Sequence, residues 1–152
     1  MSVEAARLPA TASHGIYVYS VESRSWVPAS RSALLGDGVY VIYFDNAKCG
    51  ACRKFDDHWF PFVEKAAPER RATFVVVLCD WFARSCSSDD ARELFKEFDV
   101  HTSPTVIFLR REGGKNTKVL KGEGVMPPQW LALTYLLITQ GARREAESQP
   151  PA

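Results

Sequence analysis

Three stretches of the chain, Val39–Phe44 (VYVIYF), Thr73–Cys79 (TFVVVLC) and Thr105–Leu109 (TVIFL), are apolar without alternation. A strand with one wet face alternates every second residue, so unbroken β-branched and aromatic runs belong to strands covered on both faces. Three such runs call for a sheet sandwiched between helical layers. Between the first two, Cys52, Phe55, Trp59, Phe62, Val63 and Ala66 recur at steps of three and four, a helical stripe that Pro61 is expected to kink or shift. A second helix is expected from a cap among Ser87, Ser88 and Asp89, carrying Leu94, Phe95 and Phe98.

Weaker signals complete the pattern. Ile16–Val21 (IYVYSV) reads as a strand, and Ser30–Leu35 as a short helix stopped by Gly36. Lys118–Gly122 reads as an edge strand after a Gly113–Gly114 turn, and Pro127 or Pro128 opens a last helix through Leu137. The expected order is strand, short helix, strand, helix, strand, helix, strand, strand, helix, an α/β arrangement. A chain of 152 residues suits one domain. We expect it at residues 14–140, between flexible tails at 1–13 and 141–152.

Composition excludes several function classes. Hydrophobic residues make up 46% and charged residues 24%, which suits a packed core rather than disorder. Nineteen basic residues against eighteen acidic ones, a formal charge of +1, give no basis for gripping nucleic acid phosphates. The apolar run from Trp130 to Ile138 is about half of what a bilayer span needs, so it reads as a core helix and no membrane contact is expected. The first residues lack a basic start and an apolar stretch of secretory type, and a cytoplasmic location is expected.

The chemistry concentrates in Lys48-Cys49-Gly50-Ala51-Cys52-Arg53, where a buried strand gives way to a helix. Two intervening residues on a first helical turn bring two sulfurs near bonding distance. The unpaired N–H groups and positive end of the helix favour a thiolate on the first. Cys49 is expected to be the exposed, attacking sulfur, and Cys52, on the apolar stripe, the shielded sulfur that resolves a mixed disulfide. Lys48 and Arg53 add positive charge expected to help hold Cys49 ionised. A Cys-x-x-Cys pair also forms half of many zinc sites, but no His is suitably spaced from it, and no metal is expected.

Ser103-Pro104-Thr105 opens the third buried run. Proline cannot donate to a sheet ladder and belongs at a strand's first residue. A cis bond there would leave the preceding backbone free to pair with an incoming extended peptide; the plain alternative is a trans proline starting a strand.

With these residues in view, the chain resembles the thioredoxin family: VYVIYF, then Cys49-Gly50-Ala51-Cys52, then VVVLC, then Val100-His101-Thr102-Ser103-Pro104-Thr105 and VIFL, and finally Lys121-Gly122. The resemblance implies a thioredoxin-like mixed sheet of about five strands flanked by helices on both faces. It also implies Cys49 as nucleophile, Cys52 as resolving cysteine, and a cis-proline loop at Ser103-Pro104 that, with Gly50 and Ala51, meets the substrate. Gly122 or Gly124 matches the glycine that lets substrate approach the far side of the groove. Three positions depart from the family pattern. Tyr43 stands where a buried carboxylate is usual, Lys48 where a tryptophan is, and Asp45 where an aromatic is. Asp45 could relay a proton through water, or it could be an ordinary turn or capping residue.

Cys79 and Cys86 lie outside this resemblance. They read as a structural or regulatory disulfide closing an eight-residue loop, as two separate thiols, or, least readily, as part of a four-cysteine metal site. His58 reads as a surface or partly packed histidine and His101 as a loop histidine that could approach the cysteines. Trp81 and Phe82 are the best candidates for an exposed recognition patch. The expected function is a protein disulfide oxidoreductase acting in electron transport, without cofactor. Its partners would be proteins bearing thiols or disulfides, and a redox partner such as a thioredoxin reductase. Two alternatives remain: a binding module or redox switch of the same fold with little turnover, and a soft-metal carrier using Cys49 and Cys52.

Overall fold

The period of two along the buried strands sorts their side chains into two cores. In the computed structural model, which describes residues 5–148, strand β3 (Gly38–Asn46) sends Val39, Val41 and Tyr43 to one face of the sheet and Tyr40, Ile42 and Phe44 to the other. Its neighbour β4 (Thr73–Cys79) does the same with Phe74, Val76 and Leu78 against Val75, Val77 and Cys79. Helix α1 (Gly50–Ala66) and helix α3 (Pro128–Ser148) cover the first face, and α2 (Asp89–Glu97) covers the second. The cysteines therefore divide: Cys49 and Cys52 belong to the α1 layer, Cys79 to the α2 layer.

The sheet is mixed and has six strands in the order β2-β1-β4-β3-β5-β6, with β1 at Gly15–Ser20, β2 at Ser25–Ala29, β5 at Thr105–Glu112 and β6 at Lys115–Glu123. The central pair β3 and β4 is parallel, which requires the α1 crossover, and the other pairings are antiparallel. The sequence pattern predicts about five strands; the sixth is β2. It carries Pro28, which demotes a strand signal, yet Pro28 is exposed on an edge strand, where a missing N–H costs no ladder bond. The expected short helix is a 3₁₀ turn at Arg31–Leu34.

Local chemistry sets the element ends. The Ser88 side chain caps α2 by accepting from the Ala91 N–H at 3.1 Å. The β5–β6 turn runs through Gly113 and Gly114 at φ of 60° and 77°, a conformation natural to glycine, and the Asp37 carboxylate accepts both their N–H groups. Helix α1 runs through Pro61 without a break. Both Pro61 and Asp57, whose carbonyl loses its helical partner, face water.

Both expected tails need correction. Leu8 is buried in the α1-side core, Ala6 accepts the Trp26 indole N–H at 3.2 Å, and Ser13 accepts the Tyr17 hydroxyl at 2.7 Å, so residues 5–13 pack on the domain. A single apolar side chain among small and polar ones was too little periodicity to show this in the sequence. At the other end α3 continues to Ser148, past the expected boundary at 140. The remaining parts of both expected tails, 1–4 and 149–152, lie outside the described residues. No helix among the described residues is long and apolar enough to cross a membrane.

Candidate active site

Cys49 is the N-cap of α1, with extended backbone, and its Sγ accepts the Cys52 N–H at 3.0 Å. One of the helix's orphan donors is thus aimed at the sulfur. Both cysteines are free thiols. The expected order of shielding holds, but the expected exposure of Cys49 does not: it is 6% exposed and Cys52 is fully buried. The reason is the cap itself, because a sulfur folded back over the first turn is covered by that turn. Gly50 and Ala51 beside it are exposed.

The expected cations sit elsewhere. Lys48 Nζ lies 3.0 Å from the Asp80 carboxylate. Arg53 turns inward: its Nη2 lies 2.6 Å from Asp45 Oδ1, its Nε 3.0 Å from Asp56 Oδ2, and its Nη1 donates to the Ala47 carbonyl at 3.0 Å. Arg53 therefore neutralises carboxylates instead of facing Cys49. Asp45 lies within strand β3, one residue before its end, and is 1% exposed, so it is no turn residue. Burial, then the Asp56 charge, push its carboxyl up to about 7, against the pull of Arg53. Burial likewise raises Asp56, while Tyr43 and Arg53 hold it down.

Tyr43 occupies the position where the resemblance places a carboxylate. Its hydroxyl donates to Asp56 Oδ1 at 2.8 Å and lies 3.2 Å from the Cys52 carbonyl oxygen. Asp56 was not singled out in the sequence. The available signal was its spacing, four residues after Cys52 and three after Arg53, beside Phe55 on the inward stripe, where an acid needs partners.

Across the sulfur pair, the Ser103–Pro104 peptide is cis. The Ser103 hydroxyl lies 3.0 Å from Cys52 Sγ and 2.9 Å from Asn46 Nδ2. Pro104 is buried, its carbonyl accepts the Gly124 N–H at 2.8 Å, and Gly124 has φ of 88°. A Cβ on Gly122 would meet Met126 Sδ at 2.0 Å, so close packing rather than substrate approach fills that position. Burial raises the Cys52 thiol strongly, and the contacts from Asn46 backbone and the Ser103 hydroxyl act the other way.

The remaining candidates separate from this centre. Cys79 and Cys86 are joined by a disulfide on the opposite side of the sheet, closing the loop that holds Trp81 and Phe82. No four-cysteine cluster forms, and no group of three or more potential ligands stands together among the described residues. Trp81 is 39% exposed and Phe82 packs against Phe95. His101 is exposed and pairs with Asp99 at 2.6 Å, and His58 is partly packed.

A mixed sheet with helices on both faces and a dithiol opening the helix after the central strand define the thioredoxin fold, and solved structures agree. A thioredoxin from Aeropyrum pernix superposes with TM-score 0.61 at 14% identity, covering 85% of this chain and 98% of that one. A thioredoxin from Thermus thermophilus gives 0.53 at 21% identity over 76% and 85% of the two chains. A chloroplastic thioredoxin z gives 0.51 at 19% identity over 72% and 90%. No protein-family model and no curated protein sequence matches the chain.

Proposed function

We propose that the protein is a thiol–disulfide oxidoreductase that exchanges disulfides with protein substrates through Cys49 and Cys52. The observation that carries this reading is the free Cys49 sulfur at the mouth of α1, 3.0 Å from the Cys52 N–H. Cys49 as thiolate attacks a substrate disulfide; a Cys49–substrate bond forms, the substrate's S–S bond breaks, and one substrate sulfur leaves as thiolate. Cys52 as thiolate then attacks Cys49 Sγ, closing the Cys49–Cys52 bond and releasing the second substrate sulfur. Two electrons pass from the dithiol to the substrate, and reversal regenerates the dithiol. The loop at Ser103-Pro104, with the exposed Gly50 and Ala51, is the surface on which we place the substrate backbone. We also propose a reductase-type partner that returns the Cys49–Cys52 disulfide to the dithiol after each cycle.

The low exposure of Cys49 favours a second reading, a redox switch of the same fold with little turnover. Insulin reduction with dithiothreitol separates them. The first reading expects the wild type to accelerate precipitation and Cys49→Ser to abolish the acceleration; equal rates for the two would overturn it.

A further inference from the structure

Asn46 is fully buried at the end of β3, and both ends of its side chain are engaged. Its Oδ1 accepts the Phe82 backbone N–H at 2.7 Å, and its Nδ2 lies 2.9 Å from Ser103 Oγ, which lies 3.0 Å from Cys52 Sγ. These contacts have a fixed polarity. A backbone N–H can only donate, so the Phe82 bond decides which end of the amide faces Ser103. That end, Nδ2, can only donate as well. It occupies a lone pair of the Ser103 hydroxyl and leaves the hydroxyl proton free for the sulfur beside it. Phe82 itself has φ of 57°, a strained conformation for an aromatic residue, in the loop that the Cys79–Cys86 disulfide closes.

We propose that Asn46 is a positioning residue that directs the Ser103 hydroxyl proton onto Cys52 Sγ, stabilising that sulfur as a thiolate in the resolving step. This deepens the oxidoreductase reading and rests on it. When Cys52 attacks Cys49 Sγ, the Cys49–Cys52 bond forms and the mixed disulfide breaks; in reverse, Cys52 is the leaving sulfur and the electron pair returns to it. In both directions the negative charge on a fully buried atom gains a donor that solvent cannot supply. Asp45, the carboxylate facing this region from β3, offers no donor when ionised and disfavours the thiolate; Arg53 is occupied with Asp45 and Asp56, and Asp56 with Arg53 and Tyr43. No proton leaves Ser103; the proton that Cys52 gives up on attack is taken up by the substrate sulfur that leaves as thiolate, so the step balances.

Ellman's reagent separates the two steps in the intact protein. The first thionitrobenzoate released reports Cys49 attack on the reagent, and the second reports Cys52 attack on the Cys49 mixed disulfide. We expect Ser103→Ala to slow the second phase about tenfold relative to the first, as loss of one bond to a charged sulfur should. Ser103→Thr, which keeps the hydroxyl, should restore it. Asn46→Ala should slow the second phase similarly, and the double variant should be no slower than either single one. Should Asn46→Ala not fold, Asn46→Asp takes its place in the same cycle: it still accepts from Phe82 but offers Ser103 no donor. An unchanged second phase in Ser103→Ala, equal loss in Ser103→Ala and Ser103→Thr, slowing of both phases alike, or multiplying effects in the double variant would overturn the proposal. A wild type with no second phase would instead remove the oxidoreductase reading, and this inference with it.

Discussion

The Arg53 guanidinium lies 2.6 Å from the Asp45 carboxylate, beneath the first turn of α1. That contact turns the cation next to the cysteine pair into the partner of a fully enclosed acid. The polar centre behind Cys52 is therefore assembled from two residues of β3, Tyr43 and Asp45, and two of α1, Arg53 and Asp56. It governs how stability responds to pH.

Asp45 has its carboxyl pushed up to about 7 in the folded chain, above the ordinary unfolded value near 4. Between those values the folded state binds more protons than the unfolded one, so stability falls as pH rises through this window and the loss is complete above about 7. In Asp45→Asn this part of the dependence should vanish. Urea unfolding at pH 5 and pH 8 would test it: a wild type and variant with equal pH slopes would contradict the assignment.

Removing the Tyr43 hydroxyl leaves Asp56 one donor short in a buried setting. We expect Tyr43→Phe to destabilise by about 1–3 kcal/mol, more at pH 8 than at pH 5, since the lost bond favours the ionised carboxylate. Denaturant midpoints at the two pH values are the measurement, and a uniform change would show that the hydroxyl serves only packing.

The Cys79–Cys86 bond should appear in mass mapping of unreduced protein as one linked peptide pair, with Cys49 and Cys52 alkylated after mild reduction. Replacing both Cys79 and Cys86 by Ser should lower stability by about 2.5 kcal/mol on chain-entropy grounds for so short a loop. Alkylation of Cys79 and Cys86 in oxidised samples would dismiss the bond.

Leu8→Ala tests whether the N-terminal segment belongs to the domain. Its buried side chain predicts a loss of about 2 kcal/mol in chemical denaturation, whereas a frayed segment would give less than about 0.5 kcal/mol.

The chain's own pattern determined the framework: three unbroken apolar runs required a doubly covered sheet, and the stripe from Cys52 to Ala66 required a helix behind the cysteines. Period and composition are local properties, so they survive in one dimension. Strand β2 escaped because Pro28 weakens a local signal that edge pairing with β1 makes good. The polar centre escaped for a different reason. Whether Arg53 serves Cys49 or Asp45, whether Asp56 is a surface acid, and whether Asn46 is a turn residue or a link between Phe82 and Ser103 depend on which groups lose water together. That is decided only when strand, helix and proline loop meet, because a polar side chain shut away from solvent must take whatever partner the packing brings within reach.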